Sequence, residues 1–370
     1  MKIKINYLYF LVILIYSLIA LYLIIYPYSF AGKLISPNYY TTQGDIGFYI
    51  KSQELIFSNT NTIIENYIKW LYEPLKNNFN FSGPIFPFLL QITNYDNQVF
   101  LLNSIFLAFG ITNMIVVVNW FYRKFFNTIY IVIFIFFPYF ILYTFQPGTD
   151  IIFTLTAFIF FVFIDKLSET KDFELEKKIY YLLVGLACLS SLIRPNGFLL
   201  FILLLFFSPK NWSRMRKIIN YCLVSAVILF FIIYYLPYGF AFLKVTFAEN
   251  QKIFGIGQGY FINEFPSQLI EIPHYLYKSF LLIMVKLLTL TGFYVSQQGN
   301  LFHYALRLFF ALPLLIGFVE VFRTGKKHEI GFCLLFLLPC LIGHSGERYI
   351  APLMPIIFFY GCNFINKIFK

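Results

Sequence analysis

Apolar runs of about 20 residues recur along the whole chain, separated by short stretches that hold most of its charge. A helix of that length crosses the hydrocarbon core of a bilayer, about 30 Å at about 1.5 Å per residue. The 28 basic and 17 acidic side chains among 370 residues cannot clothe a soluble core of this size. Apolar residues make up 59% and charged ones 12%, against about 45–50% and about 25% in an average soluble domain. The sequence therefore predicts an all-α polytopic membrane protein and excludes a soluble enzyme behind a signal anchor. The 50 Phe and 29 Tyr are what an AT-rich genome encodes, so they carry no functional weight.

Charged punctuation sets the expected topology. Spans are predicted near 7–30, 99–120, 127–145, 151–165, 179–193, 197–207, 218–237, 304–322, 330–343 and 349–365, about ten in all with a range of nine to twelve. The pieces carrying Lys2 and Lys4, Arg123 and Lys124, the Asp165–Lys178 segment, Lys210 to Lys217, Arg323 to Lys327, and Lys367 with Lys370 hold 17 of the 28 basic residues. The positive-inside rule puts these pieces in the cytoplasm, and 31–97, 146–150, 194–196, 238–278 and 344–348 outside. The run Ser279–Val295 is read as re-entrant or interfacial, because a further crossing would turn Arg323, Lys326 and Lys327 outward. Residues 1–370 are expected to form one integral membrane domain, with 31–97 as the first extracytoplasmic loop. Within that loop, Gly47–Leu55 and Thr62–Leu75 have the mixed three- and four-residue spacing of amphipathic helices on a membrane surface. The five cysteines all lie in apolar stretches without a C-x-x-C pair, which excludes a disulfide framework or zinc site. Lys and Arg form no basic stripe interleaved with aromatics, so no nucleic-acid partner is expected.

Few residues are left that could carry chemistry. Asp45, in Gly44-Asp45-Ile46-Gly47-Phe48-Tyr49, reads either as a helix N-cap or as a carboxylate held at the membrane surface to take a proton or orient a ligand. Ser82-Gly83-Pro84-Ile85-Phe86-Pro87 makes a rigid re-entry into the bilayer. Asp150 follows Gln146-Pro147-Gly148-Thr149 and reads first as an N-cap to a span. Arg194, in Arg194-Pro195-Asn196-Gly197, lies between two apolar runs. It either snorkels to the interface or meets an anion, for which its guanidinium fork is suited. Near the end, Gly343-His344-Ser345-Gly346-Glu347-Arg348-Tyr349 sets an acid and a base at the mouth of the last span. Alone, Glu347 and Arg348 read as a weak surface pair, and His344 has no partner at metal-ligand spacing.

The order of these motifs is more informative than any one of them. An early Gly-Asp-x-x-Phe-Tyr, a Gly-Pro-x-x-Pro before the second span, a mid-chain Arg-Pro-x-Gly and a terminal Glu-Arg-Tyr-x-x-Pro-x-x-Pro resemble the GT-C superfamily of integral membrane glycosyltransferases. The likeness is nearest to its protein mannosyltransferase and lipid A aminoarabinose transferase branch. It implies a bacterial inner-membrane enzyme that moves a sugar from a polyprenyl-phosphate carrier to a glycan, lipid or protein acceptor on the outer face. It also implies Asp45 as the catalytic carboxylate, Arg194 and Arg348 as candidates for holding the lipid phosphate, and Asp150 as a second cavity acid. Tyr49 and Glu347 join them as candidate substrate-binding residues. No cofactor is specified, and a divalent metal is left open. Ile46 stands where the protein mannosyltransferases have a second acid, which points away from protein O-mannosylation. The expectation of no large soluble domain after the last span points to a compact enzyme acting on a glycan or lipid. The competing readings are a flippase or transporter of lipid-linked sugars, and an O-antigen-type polymerase or ligase that would need the arginines but not Asp45.

Overall fold

The computed structural model describes residues 4–25, 53–58, 62–72, 83–92, 99–124, 126–137, 140–141, 144–145, 148–207, 212–236, 270, 272–274, 277, 301–342 and 350–369. Among these the regular structure is all helical, with no strand. The chain divides into two compact units, the first comprising 1–136 with 140–241 and the second 137–139 with 242–370.

The first unit holds α1 (Ile5–Ile25), α2 (Ile63–Tyr72), α3 (Ile85–Ile92), α4 (Val99–Arg123), α5 (Thr128–Ile135), α6 (Thr149–Glu169), α7 (Phe173–Ile193), α8 (Leu199–Phe206) and α9 (Arg214–Tyr234). Among the described residues, Ile5–Tyr22, Ser104–Arg123, Thr149–Glu169 and Arg214–Tyr234 are long and apolar enough to cross a membrane. Helix α6 is the core element, buried along most of its length between α4 and α7. Trp120 of α4 meets the rings of Phe158 and Phe161 of α6 edge-on at 5.9 and 5.4 Å, an arrangement that adds about 0.5–1.5 kcal/mol per pair beyond area burial. Helix α9, by contrast, exposes Leu223, Phe230 and Ile233 by about 60% each, a face that suits lipid rather than water.

Several boundaries differ from the expected ones. The run 127–145 is not one helix: α5, capped by Asn127, stops at Ile135, and Phe137 precedes Pro138, which disfavours the α conformation before it. The charged segment 165–178 is not a loop. Helix α6 continues to Glu169 and α7 starts at Phe173, with Asp172 accepting from the Glu174 and Leu175 amides. That makes α7 21 residues long, about 31 Å, instead of the short 179–193 span. After it, a 3-10 turn over Pro195–Phe198 leads into α8, and Pro195–Phe206 at about 18 Å is shorter than a bilayer core.

The second unit holds α10 (Leu301–Thr324), α11 (Lys327–Ile342), a 3-10 turn at Ala351–Leu353 and α12 (Met354–Ile368). Helices α10 and α12 lie backbone to backbone. A Cβ on Gly317 would sit 1.9 Å from the Ile357 carbonyl oxygen, and one on Gly361 only 1.8 Å from that of Pro313. Small residues at such crossings let helices approach closely where no hydrophobic effect drives them together. Glu329 ties α11 to α12: its Oε2 accepts the Lys326 amide at 2.7 Å, as in a capping box, and the Tyr360 hydroxyl at 2.5 Å.

Candidate functional site where three motifs meet

The C-terminal end of α7 gathers three of the motifs singled out in the sequence. Pro195 cannot continue a helix, so Arg194 turns to extended geometry (φ −142°, ψ 143°) while its amide still reaches the Ser190 carbonyl at 2.9 Å. A helix end leaves its last carbonyls without intrahelical partners. Two are satisfied here from elsewhere in the chain: the Gly83 amide donates to Ile193 O at 2.9 Å, and the Tyr235 hydroxyl donates to Ser191 O. Only glycine fits at position 83, because an added Cβ would lie 1.9 Å from the Leu192 carbonyl oxygen. The Gly-Pro re-entry that opens α3 is therefore seated directly on the turn that presents Arg194.

The Arg194 side chain runs inward to the first turn of α6. Its Nη1 stands 2.7 Å from Asp150 Oδ1, its Nε donates to Thr149 Oγ1 at 2.9 Å, and its guanidinium lies 5.9 Å from the Phe153 ring centre. The Asp150 contact is an ion pair rather than a well-aligned hydrogen bond. Arg194 is 5% exposed and Asp150 8%. Burial keeps the head group out of water, which does not fit the snorkelling reading of Arg194. Nor is Asp150 the N-cap of its helix: extended Gly148 holds that position without a side-chain cap. Asp150 sits instead in the first turn, where the positive end of the helix favours a carboxylate.

Further polar contacts link the helices of the first unit. Ser190 donates to Thr156 Oγ1 at 3.0 Å between α7 and α6. The hydroxyls of Tyr67 and Tyr234 are hydrogen-bonded, which fastens α2 to the end of α9, and burial pushes the Tyr67 phenol up to about 12. Helix α2 leaves Ile63, Ile64 and Ile68 exposed and buries Asn66 on the Ser58 carbonyl. The whole arrangement holds a cation, an acid of opposite charge and several hydroxyls rigidly in an apolar bundle. A donor fixed in this way needs no reorganisation when an anion arrives.

Of the residues expected to act, Arg194 and Asp150 are thus brought together. Asp45, Tyr49, His344, Glu347 and Arg348 lie outside the described residues, as does the run 279–295. Thr149 and Tyr235 were missed: Thr149 could have been found as the neighbour of Asp150 in the same first turn, whereas nothing local marks Tyr235. A second polar cluster was also missed, at the other end of α6. There Asp165 Oδ2 lies 2.6 Å from Lys124 Nζ and accepts the Trp120 indole N–H at 3.2 Å, and Lys124 also reaches Glu169 at 3.3 Å. Its signal was the Trp120-x-x-x-Lys124 spacing on one helix face opposite an acid ending an apolar run.

No family model, no curated protein and no solved structure matches the chain.

Proposed function

We propose that the protein is a membrane glycosyltransferase that moves a sugar from a polyprenyl-phosphate donor to a glycan, lipid or protein acceptor at the outer face of a bacterial inner membrane. The observation that carries this reading is that Gly83 is seated on the Ile193 carbonyl, next in the chain to Arg194, whose buried guanidinium reaches Thr149 and Asp150. Gly83, Thr149, Asp150 and Arg194 all belong to stretches that the charge pattern assigns to the same side of the membrane. The fold the reading requires has about ten spans, and four helices among the described residues have the necessary length and apolarity.

In the proposed reaction the acceptor hydroxyl oxygen attacks the anomeric carbon, and the bond to the phosphate oxygen breaks with inversion. The electron pair leaves on the polyprenyl phosphate, and the hydroxyl proton passes to Asp45. Arg194, with Arg348, meets the charge that develops on the leaving phosphate, an interaction stronger in the transition state than in the ground state. Asp150 and Thr149 act as positioning residues: they hold the guanidinium and keep the empty site neutral. Tyr49 and Glu347 line the acceptor and donor sites, and any divalent metal would be held through Asp45.

Purified protein in proteoliposomes with a polyprenyl-phosphate sugar tests the assignment. Asp45→Asn should abolish transfer with folding intact, and unchanged turnover would sink it. Single cysteines at positions 45 and 348 should label from the same face of the membrane; labelling from opposite faces excludes one shared active site. A buried ion pair beside the interrupted helix at Arg194-Pro195 also suits a carrier of lipid-linked sugars. Transport without transfer in the same vesicles would favour that reading.

A further inference from the structure

The second unit contains a polar cavity that the proposed transfer reaction does not use. It opens between the last turns of α10 and α12, holds about 270 Å³, and is lined among others by Glu320, Tyr360, Asn363, Asn366 and Lys367. The Glu320 side chain is nine-tenths buried. Arg323 approaches it through Nε at 3.3 Å and Nη2 at 3.0 Å, and both reach Oε2. Among the described residues, Oε1 receives no hydrogen bond. Tyr360 has already committed its proton to Glu329. Asn363 and Asn366, three residues apart on one face of α12, have no side-chain hydrogen bond among the described residues, and Lys367 is exposed beside them. One wall thus offers a carboxylate oxygen and the other offers amide donors and an ammonium. That lining complements a small zwitterion, with a hydrogen-bonding cation at one end and an anion at the other.

The surroundings specify where such a zwitterion comes from. Along α10, Phe309, Leu312, Val319 and Phe322 form an exposed apolar stripe that ends level with Glu320, and Ile368 and Phe369 continue the exposed apolar surface beyond Lys367. Arg323, Lys326 and Lys327 follow at the end of α10, the charge pattern of a helix leaving the bilayer on its basic side. We propose that this cavity binds the headgroup of an aminophospholipid of the phosphatidylethanolamine type. Its ammonium donates to Glu320 Oε1, its phosphate accepts from Lys367 and the two asparagines, and its acyl chains lie along the apolar stripe.

The full chain, purified in a neutral detergent, is titrated with phosphatidylethanolamine, phosphatidylcholine or phosphatidylglycerol, and retention is read by native mass spectrometry. Wild type should retain phosphatidylethanolamine at least fivefold better than phosphatidylcholine, whose methylated amine cannot donate to Glu320. Glu320→Gln should reduce that preference below twofold, and Lys367→Gln should weaken both lipids alike. Equal retention of the three lipids by the wild type, or an unchanged preference in Glu320→Gln, overturns the proposal. Should Glu320→Gln melt lower than wild type, the double variant Asn363→Leu/Asn366→Leu serves instead. It leaves the Arg323 pair intact and should cut phosphatidylethanolamine retention about fivefold at an unchanged melting temperature; undiminished retention overturns the proposal. Soluble O-phosphoethanolamine should compete only at concentrations at least a hundredfold above those of a short-chain phosphatidylethanolamine. Equal competition would identify a soluble ligand and overturn the lipid assignment.

Discussion

Replacing Asp150 by Leu should cost the first unit about 3–5 kcal/mol, the penalty for leaving a buried charge without its partner. The pair stands at 2.7 Å with side chains 6% and 11% exposed, so its Coulomb attraction is about 6 kcal/mol at an effective permittivity of about 20. Desolvating each ion costs several kcal/mol, which offsets most of that gain, so the intact pair contributes little net stability. The asymmetry between the partners gives the test its sharpness. Asp150→Leu removes the counter-charge of the Arg194 guanidinium in an apolar bundle, while Thr149 still accepts from its Nε. Arg194→Met strands a carboxylate, but at a helix N-terminus, whose dipole recovers up to about 2 kcal/mol. Arg194→Met should therefore cost less, about 2–3 kcal/mol, and the double variant should fall within about 2 kcal/mol of wild type. Unfolding of the full chain in detergent, followed by tryptophan fluorescence, gives the three free energies and their coupling. Single variants within about 0.5 kcal/mol of wild type, or a double variant equal to their sum, would refute the buried-pair argument.

Other perturbations test the surrounding structure. Gly83→Val would push a side chain into the Leu192 carbonyl, and should cost about 1–3 kcal/mol and open the α3 junction to limited proteolysis. Asn113, fully buried in α4 with neither amide atom hydrogen-bonded among the described residues, should be improved by leucine: Asn113→Leu should stabilise by about 1–2 kcal/mol, and a loss of stability would show that the amide has a partner. Gly361→Leu should separate α12 from α10 and lower the melting temperature of the second unit, whereas Gly185→Leu, whose Cβ meets nothing within 4 Å among the described residues, should leave stability unchanged. Asp165→Leu should cost less than Asp150→Leu, about 1–2 kcal/mol, because Lys124 is 19% exposed and keeps Glu169.

What could be read from the sequence was governed by how local its cause is. The break at Arg194-Pro195 was legible because proline's missing N–H acts on its own neighbours, and α6 begins at Thr149 beside the Asp150 expected to open it. The α6–α7 turn falls within the charged segment 165–178 but is much narrower than it, because charge alone does not mark a loop. In the structure Asp165, Lys166 and Glu169 remain helical, and Asp165 is buried against Lys124 from another helix. That partner lies 41 positions away, and no periodicity within the segment reports it. The pairing of Arg194 with Asp150 was invisible for the same reason: both were named as site residues, yet each was assigned a different neighbour.

Taken together, the two polar clusters give α6 a role that neither has alone. Its buried acids, Asp150 and Asp165, are 15 residues apart, about 22 Å along the axis, and each is matched by a cation on a different neighbour, Arg194 beyond α7 and Lys124 beyond α4. Between them the contacts are mostly apolar and aromatic, with one hydrogen bond from Ser190 to Thr156, and apolar contacts are not directional. A displacement of one turn, about 5.4 Å, would break both ion pairs and leave four buried or half-buried charges unmatched. The scarce charges of the first unit thus act as pins that fix the register of α4, α6 and α7. The register they fix is also the one that seats Gly83 on α7 and holds Arg194 in place, so the same pairs that contribute little to net stability determine whether the candidate site forms.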